Sequence, residues 1–179
     1  MIKVFYLMIP FLMINACKTQ TPTITNSNQS KTEQLKQNSS CPNEGDCTVI
    51  VHQNSKLTVS DDGTGALYPQ IQKGDNLVVE YTFMIDGPEG TVDGNYSETV
   101  HFEIPSNMKS LKKQSAALAE VNLLFGKHCF CPGEAGYYPI TDGKLTVENK
   151  GETLTFDLSF QQGKTSQKLS HITQTVKLK

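Results

Sequence analysis

From Leu154 to Phe160 the side chains change character at every step: Leu154, Phe156, Leu158 and Phe160 are interleaved with Thr155, Asp157 and Ser159. A period of two puts the apolar set on one face of an extended strand, which a helix cannot do. The pattern recurs along the chain. Leu77, Val79, Tyr81, Phe83 and Ile85 oppose Glu80 and Thr82; Val100, Phe102 and Ile104 oppose Thr99, His101 and Glu103; Leu145 and Val147 oppose Thr146 and Glu148. Val49 with Val51, Leu57 with Val59, and Ile172, Val176 and Leu178 supply further candidates. One wet and one dry face per strand implies antiparallel sheets. The breaks carry turn residues at Asp62-Gly63, Lys73-Gly74-Asp75, Asp86-Gly87-Pro88, Asp93-Gly94-Asn95, Asp142-Gly143 and Lys150-Gly151. The expected fold is all-β, an antiparallel β-sandwich. The alternatives are a small barrel, or a sandwich with one short helix near residues 110–120.

One segment gives a divided signal. Leu118, Val121, Leu124 and Phe125 fall at helical spacing, with Ser115 as a candidate cap and Gly126 as a candidate stop. Ala119, Val121, Leu123 and Phe125 also alternate as a strand would. The low helix propensity of Phe125 to Cys131 favours a strand from about Val121 onward, with a short helix before it as the alternative.

The start of the chain reads differently. Lys3 is followed by an apolar run, Val4 to Ile14, and then by Asn15, Ala16 and Cys17. A charge, a short apolar run and a small residue describe a secretory signal. The run is shorter than the roughly 20 residues that span a bilayer, and it contains Pro10. Cys17 directly after Ala16, with Ile14 upstream, resembles the lipobox of bacterial lipoproteins. That resemblance implies cleavage after a signal peptide of residues 1–16 and acylation of Cys17. Several acyl chains would hold such a protein to a membrane durably, where one would not. Residues 17–40, rich in Thr, Ser, Asn, Gln and Lys with only Ile24 and Leu35 as large apolar residues, read as a flexible tether. Residues 41–179 read as a single β-rich domain.

Composition removes several function classes. The basic residues number 16, all of them Lys, and the net charge is −2. Nucleic-acid binding draws on a basic surface and on Arg forks, so no nucleic-acid partner is expected. Missing Arg also removes the bidentate clamp of many carboxylate and phosphate sites. Ser106 to Lys109 and Ser110 to Lys113 have Ser-x-x-Lys spacing without the companion motifs of penicillin-recognising enzymes. Gly163-Lys164-Thr165 lacks the earlier glycine of a phosphate loop and reads as a hairpin turn. Asp61-Asp62 and the stretch Asp86 to Asn95 do not have calcium-loop spacing. His101 alternates with core residues and is expected to face solvent. No catalytic residue, cofactor or metal is assigned, and an enzyme is the less favoured reading.

Apart from Cys17, the cysteines lie as Cys41-Pro-Asn-Glu-Gly-Asp-Cys47 and His128-Cys129-Phe130-Cys131. In an exported protein they are disulfide candidates with three connectivities. Cysteines two apart on an extended strand hold their β-carbons too far apart for a bond. Crossed pairs joining the 41/47 turn to the 129/131 strand are therefore expected ahead of two local bridges. A zinc site including His128 or His52, and a thiol-redox pair at Cys129 and Cys131, compete for the same residues.

Gly136-Tyr137-Tyr138-Pro139-Ile140, then Gly143-Lys144-Leu145, then Leu154 to Phe160 resembles the C-terminal halves of uncharacterised β-rich lipoproteins of the Bacteroidota. Lys18 after the acylated cysteine resembles lipoproteins sorted to the outer membrane. These likenesses imply an envelope protein attached to the membrane through its lipid, with a protein or glycan partner left open and no activity attached. For Tyr137 and Tyr138, core packing is favoured over a binding platform. The reading is a binding or structural module, with an envelope thiol-redox or metal-binding protein centred on Cys129 and Cys131 as the alternative.

Overall fold

The computed structural model describes residues 40–178. Cys17, the signal segment and residues 17–39 of the expected tether lie outside the described residues. The expected all-β fold is what the chain forms. Ten strands follow in order: β1 (Asp46–Asp61), β2 (Leu67–Lys73), β3 (Asn76–Ile85), β4 (Tyr96–Pro105), β5 (Ser110–Gln114), β6 (Leu124–His128), β7 (Gly136–Pro139), β8 (Asp142–Asn149), β9 (Thr153–Gln161) and β10 (His171–Lys177). A 3-10 helix, Ser115–Val121, precedes β6. Among these residues no helix is long and apolar enough to cross a membrane.

Every pairing is antiparallel. Strands β2-β1-β3-β4-β6-β7 form a six-stranded sheet, and β10-β9-β8-β5 a four-stranded one. The alternating apolar faces meet between them. Val79, Tyr81, Phe83, Val100, Phe102 and Phe125 lie in one core cluster with Leu145, Leu154, Phe156, Leu158, Phe160 and Ile172. Phe102 and Phe156 meet edge-on at 5.3 Å between ring centroids. Each such side chain, taken out of water, contributes roughly 1.5–3 kcal/mol.

The larger sheet curls into a half-barrel. Its bend begins in β1, a single 16-residue strand that takes in both sequence candidates, Val49/Val51 and Leu57/Val59. Register shifts between His52 and Ser55, where Asn54 has φ 51°. This irregularity lets the first half of β1 pair with β3 while its second half pairs with β2. The two edge strands, β2 and β7, consequently approach one another. Leu57, Val78 and Leu124 are buried outside the main core. Val78 and Leu124 alternate with Val79 and Phe125 and so project from the opposite face, which the curl shelters.

Local differences from the sequence reading have simple causes. The 3-10 helix occupies Ser115–Val121 and the strand after it starts at Leu124, three residues later than expected. Ser115 has φ 51° and is not the cap; the turn ends at Asn122 in the left-handed region, not at Gly126. Strands β2 and β5 escaped the alternation search. Both are sheet edges, where half-exposed backbone needs few apolar side chains and where lysines such as Lys112 discourage further pairing. Asp142-Gly143 opens β8 and does not form a turn.

Candidate functional site

The sheltered face of the curled sheet gathers residues from five strands. Register aligns Ile50, Glu80, His101 and Leu124 across β1, β3, β4 and β6. One step along lie Thr82, Thr99, Gly126 and Tyr137, and a further step brings Met84, Ser97 and His128. The two turns of alternation that keep valines and phenylalanines in the core necessarily send these residues to the other side.

His52 Nε2 lies 3.0 Å from Glu80 Oε2, and His101 Nε2 lies 4.0 Å from Glu80 Oε1. The hydrogen bond from His52 holds the Glu80 carboxyl below its ordinary range, with the nearby His101 adding to it. His101 is 5% exposed, and its Nδ1 has no hydrogen-bond partner among the described residues. Burial pulls the His101 imidazole down, a larger effect than the upward pull of Glu80. His128 is lowered by burial as well. The expectation that His101 faces solvent is therefore corrected. It does leave the main core, as its position in the alternation requires, but the face it enters is covered by the curl.

Tyr137 binds this group together. Its ring meets His128 edge-on at 5.0 Å and His101 at 6.1 Å. The ring lies against Gly126: a Cβ added at that glycine would stand 2.5 Å from Tyr137 Cε1. Burial raises the phenol, and the Glu80 charge adds to the rise. Tyr138 points the other way, packs against the core and donates to the Glu134 carbonyl at 2.9 Å. The tyrosine pair thus divides into one core residue and one residue of the histidine face.

At one end this face opens into a surface depression of about 370 Å³, lined by Val92, Asn95, Ser97, His128, Cys129 and Phe130 among others. Val92 is 95% exposed and Phe130 90%. Val92 sits on a loop closed by its own hydrogen bonds. Gly87 N–H donates to Asn95 Oδ1 at 2.8 Å, and Thr91 Oγ1 to the Pro88 carbonyl at 2.6 Å. Phe130 stands between Cys129 and Cys131.

The cysteines correct the expected connectivity. Cys41 lies at bonding distance from Cys47, and Cys129 from Cys131, with Cα atoms 5.8 Å and 5.2 Å apart. Crossed pairing is not what the fold brings together. The sequence argument assumed an extended strand through Cys131, whereas β6 ends at His128 and the chain then turns, so the two side chains come close. Among the described residues no three His, Cys, Asp or Glu side chains form a metal-holding group. Asp61 and Asp62 accept backbone N–H groups of Gly63, Thr64, Gly65 and Ala66, which accounts for that acidic pair as turn chemistry.

A second polar group escaped the sequence reading altogether. Glu98 is fully buried; it accepts the Tyr96 hydroxyl and the backbone N–H groups of Lys168 and Leu169. Its register neighbour Lys127 is 3% exposed and donates to Glu134 and to both the hydroxyl and carbonyl of Ser166. The Lys127 and Ser166 hydrogen bonds take the Glu134 carboxyl down to about 2. A signal existed. Glu98 continues the Val100, Phe102, Ile104 phase, and Lys127 continues that of Phe125, so two charges stand in core positions.

No family profile, curated protein or solved structure matches the chain.

Proposed function

We propose that the chain is a lipid-anchored cell-envelope protein that binds another envelope protein through the open end of its curled sheet. The anchor rests on Cys17 behind Ile14, Asn15 and Ala16, and Lys18 favours sorting to the outer membrane. The single observation that carries the binding role is that Val92 and Phe130, nearly fully exposed, line one depression. Isolated exposed apolar residues are ordinary. Two on separate, internally bonded loops around a shared depression are preorganised, which lowers the ordering cost of association.

Strand β1 also begins at this end. Asp46 pairs with Met84, next to the Ile85 and Tyr96 pair that opens the loop bearing Val92. Upstream of β1, Ser40 Oγ accepts the backbone N–H of Thr173 on β10, so a tether leading back to an acylated Cys17 would start at the edge of the smaller sheet.

Two readouts test the reading. Cys17→Ser should move the protein from the membrane to the soluble fraction, and unchanged fractionation would remove the anchor. A photo-crosslinking amino acid at position 130 in intact cells should yield one discrete protein adduct that the same group at Tyr68, exposed on β2, does not. No adduct at 130, or equal adducts at both, would remove the binding surface.

A further inference from the structure

We propose that Cys129 and Cys131 form a dithiol–disulfide couple that exchanges with a protein dithiol, while Cys41 and Cys47 form a purely structural bond. The proposal deepens the binding reading by giving the surface around Phe130 a chemistry, and it can be measured without any partner.

The two pairs sit in different surroundings. Cys41 and Cys47 pack against the main core. Cys129 and Cys131 lie in a half-exposed turn, with Cys129 on the wall of the open depression beside Phe130. All four cysteines are half-exposed, and what sets the second pair apart is that Cys129 lines an open depression beside Phe130, where an incoming thiolate can approach its sulfur.

Contacts other than the bond also hold the turn. The Cys131 carbonyl accepts the N–H groups of Glu134 and Ala135 at 3.1 and 3.3 Å. Glu134 is gripped through its carboxylate by Lys127 and Ser166. Reduction therefore leaves two thiols facing each other on a standing loop, ready to reclose.

A partner thiolate attacks Cys129 Sγ, forming a mixed disulfide and releasing Cys131 as thiolate. The partner's second thiolate then attacks its own sulfur in that mixed disulfide and releases Cys129. The partner dithiol is oxidised by two electrons, the Cys129–Cys131 bond is reduced by two, and the partner's two protons end on the released thiols.

The test uses the full chain with Cys17→Ser, so that only the two pairs titrate. It is equilibrated in graded reduced and oxidised glutathione, quenched with N-ethylmaleimide and mapped by mass. Cys129 and Cys131 should become alkylated at milder reduced-to-oxidised ratios than those that open Cys41–Cys47. Co-reduction, or earlier opening of Cys41–Cys47, would overturn the proposal. As a check independent of that comparison, Cys131→Ser should accumulate a glutathione adduct on Cys129 from oxidised glutathione, and a native thermal transition should persist; absence of the adduct in that folded variant would also overturn it. Failure here with an intact crosslink at position 130 faults the couple alone, whereas loss of the crosslink with normal redox behaviour faults the binding reading alone.

Discussion

Glu98 Oε2 accepts the backbone N–H of Leu169 at 2.7 Å, joining the middle of the curled sheet to the loop that leads into β10 of the other sheet. The carboxylate sits where the alternation calls for an apolar side chain, and three donors converge on it. Glu98→Gln replaces one acceptor oxygen with a donor that faces another donor. A buried group left unsatisfied costs about 1–3 kcal/mol. The urea midpoint should fall accordingly with an unchanged slope, and a variant as stable as the parent would show that the carboxylate does not clamp the sheets.

Lys127 and Glu134 form an asymmetric pair. The Lys127 side chain is 3% exposed and that of Glu134 45%. Removing the carboxylate strands a buried ammonium, whereas removing the ammonium leaves a carboxylate that water can reach. Glu134→Ala should therefore lower the melting temperature more than Lys127→Met does. The reverse order would mean that burial of the ammonium is not the controlling feature. Because the Glu134 carboxyl is lowered from 4.5 to about 2, its contribution is present above about pH 4.5 and is lost as pH falls toward 2.

Gly126 is held by what lies over it. An added Cβ would meet Thr99 Oγ1 at 2.4 Å and the Tyr137 ring at 2.5 Å. Gly126→Ala should force Tyr137 off the sheet and destabilise by about 1–3 kcal/mol. The ring-current shifts of His128 in proton NMR should change with it. Unchanged His128 resonances would contradict the packing described for Tyr137.

The histidine face predicts a pH dependence with a definite sign. Burial lowers both His101 and His128 from 6.5, so the folded state keeps them neutral where the unfolded chain takes up protons. The unfolded state then binds more protons, and stability falls as pH drops below about 6.5 toward the lowered values. Glu80 and His52 face His101, and Tyr137 lies beside both imidazoles. The lowered Glu80 carboxyl adds a second loss below about pH 4.5. His101→Gln should flatten the slope between pH 6.5 and 5 in denaturant titrations and leave the more acidic one. An unaltered upper slope would exclude His101 as its source.

The core strands were readable because each has one wet and one dry face, as in Leu154 to Phe160. What the period of two cannot say is whether the wet face stays wet. His101, Thr99 and Val78 look alike in phase, and only the curl of the sheet, started by the irregularity at His52 to Ser55, decides that all three are covered. Edges such as β2 and β5 lack the pattern because they bury little. The local approach of the cysteines is hidden for a related reason: alternation predicts extended backbone through Cys131, and the turn after His128 carries contacts from Glu134 to Lys127 and to Ser166, the latter remote in sequence. Glu98 and Lys127 were visible as charges in core phase, a signal that gains meaning once a loop from the opposite sheet is seen to meet them.

The most direct test is a mass map of the unreduced protein isolated from its own cells. The account predicts a diacylglyceryl-modified Cys17 at the N-terminus, one peptide linking Cys41 to Cys47 and another closing Cys129 on Cys131. An unprocessed N-terminus with five free thiols, or peptides joining the 41/47 segment to the 129/131 segment, would contradict it.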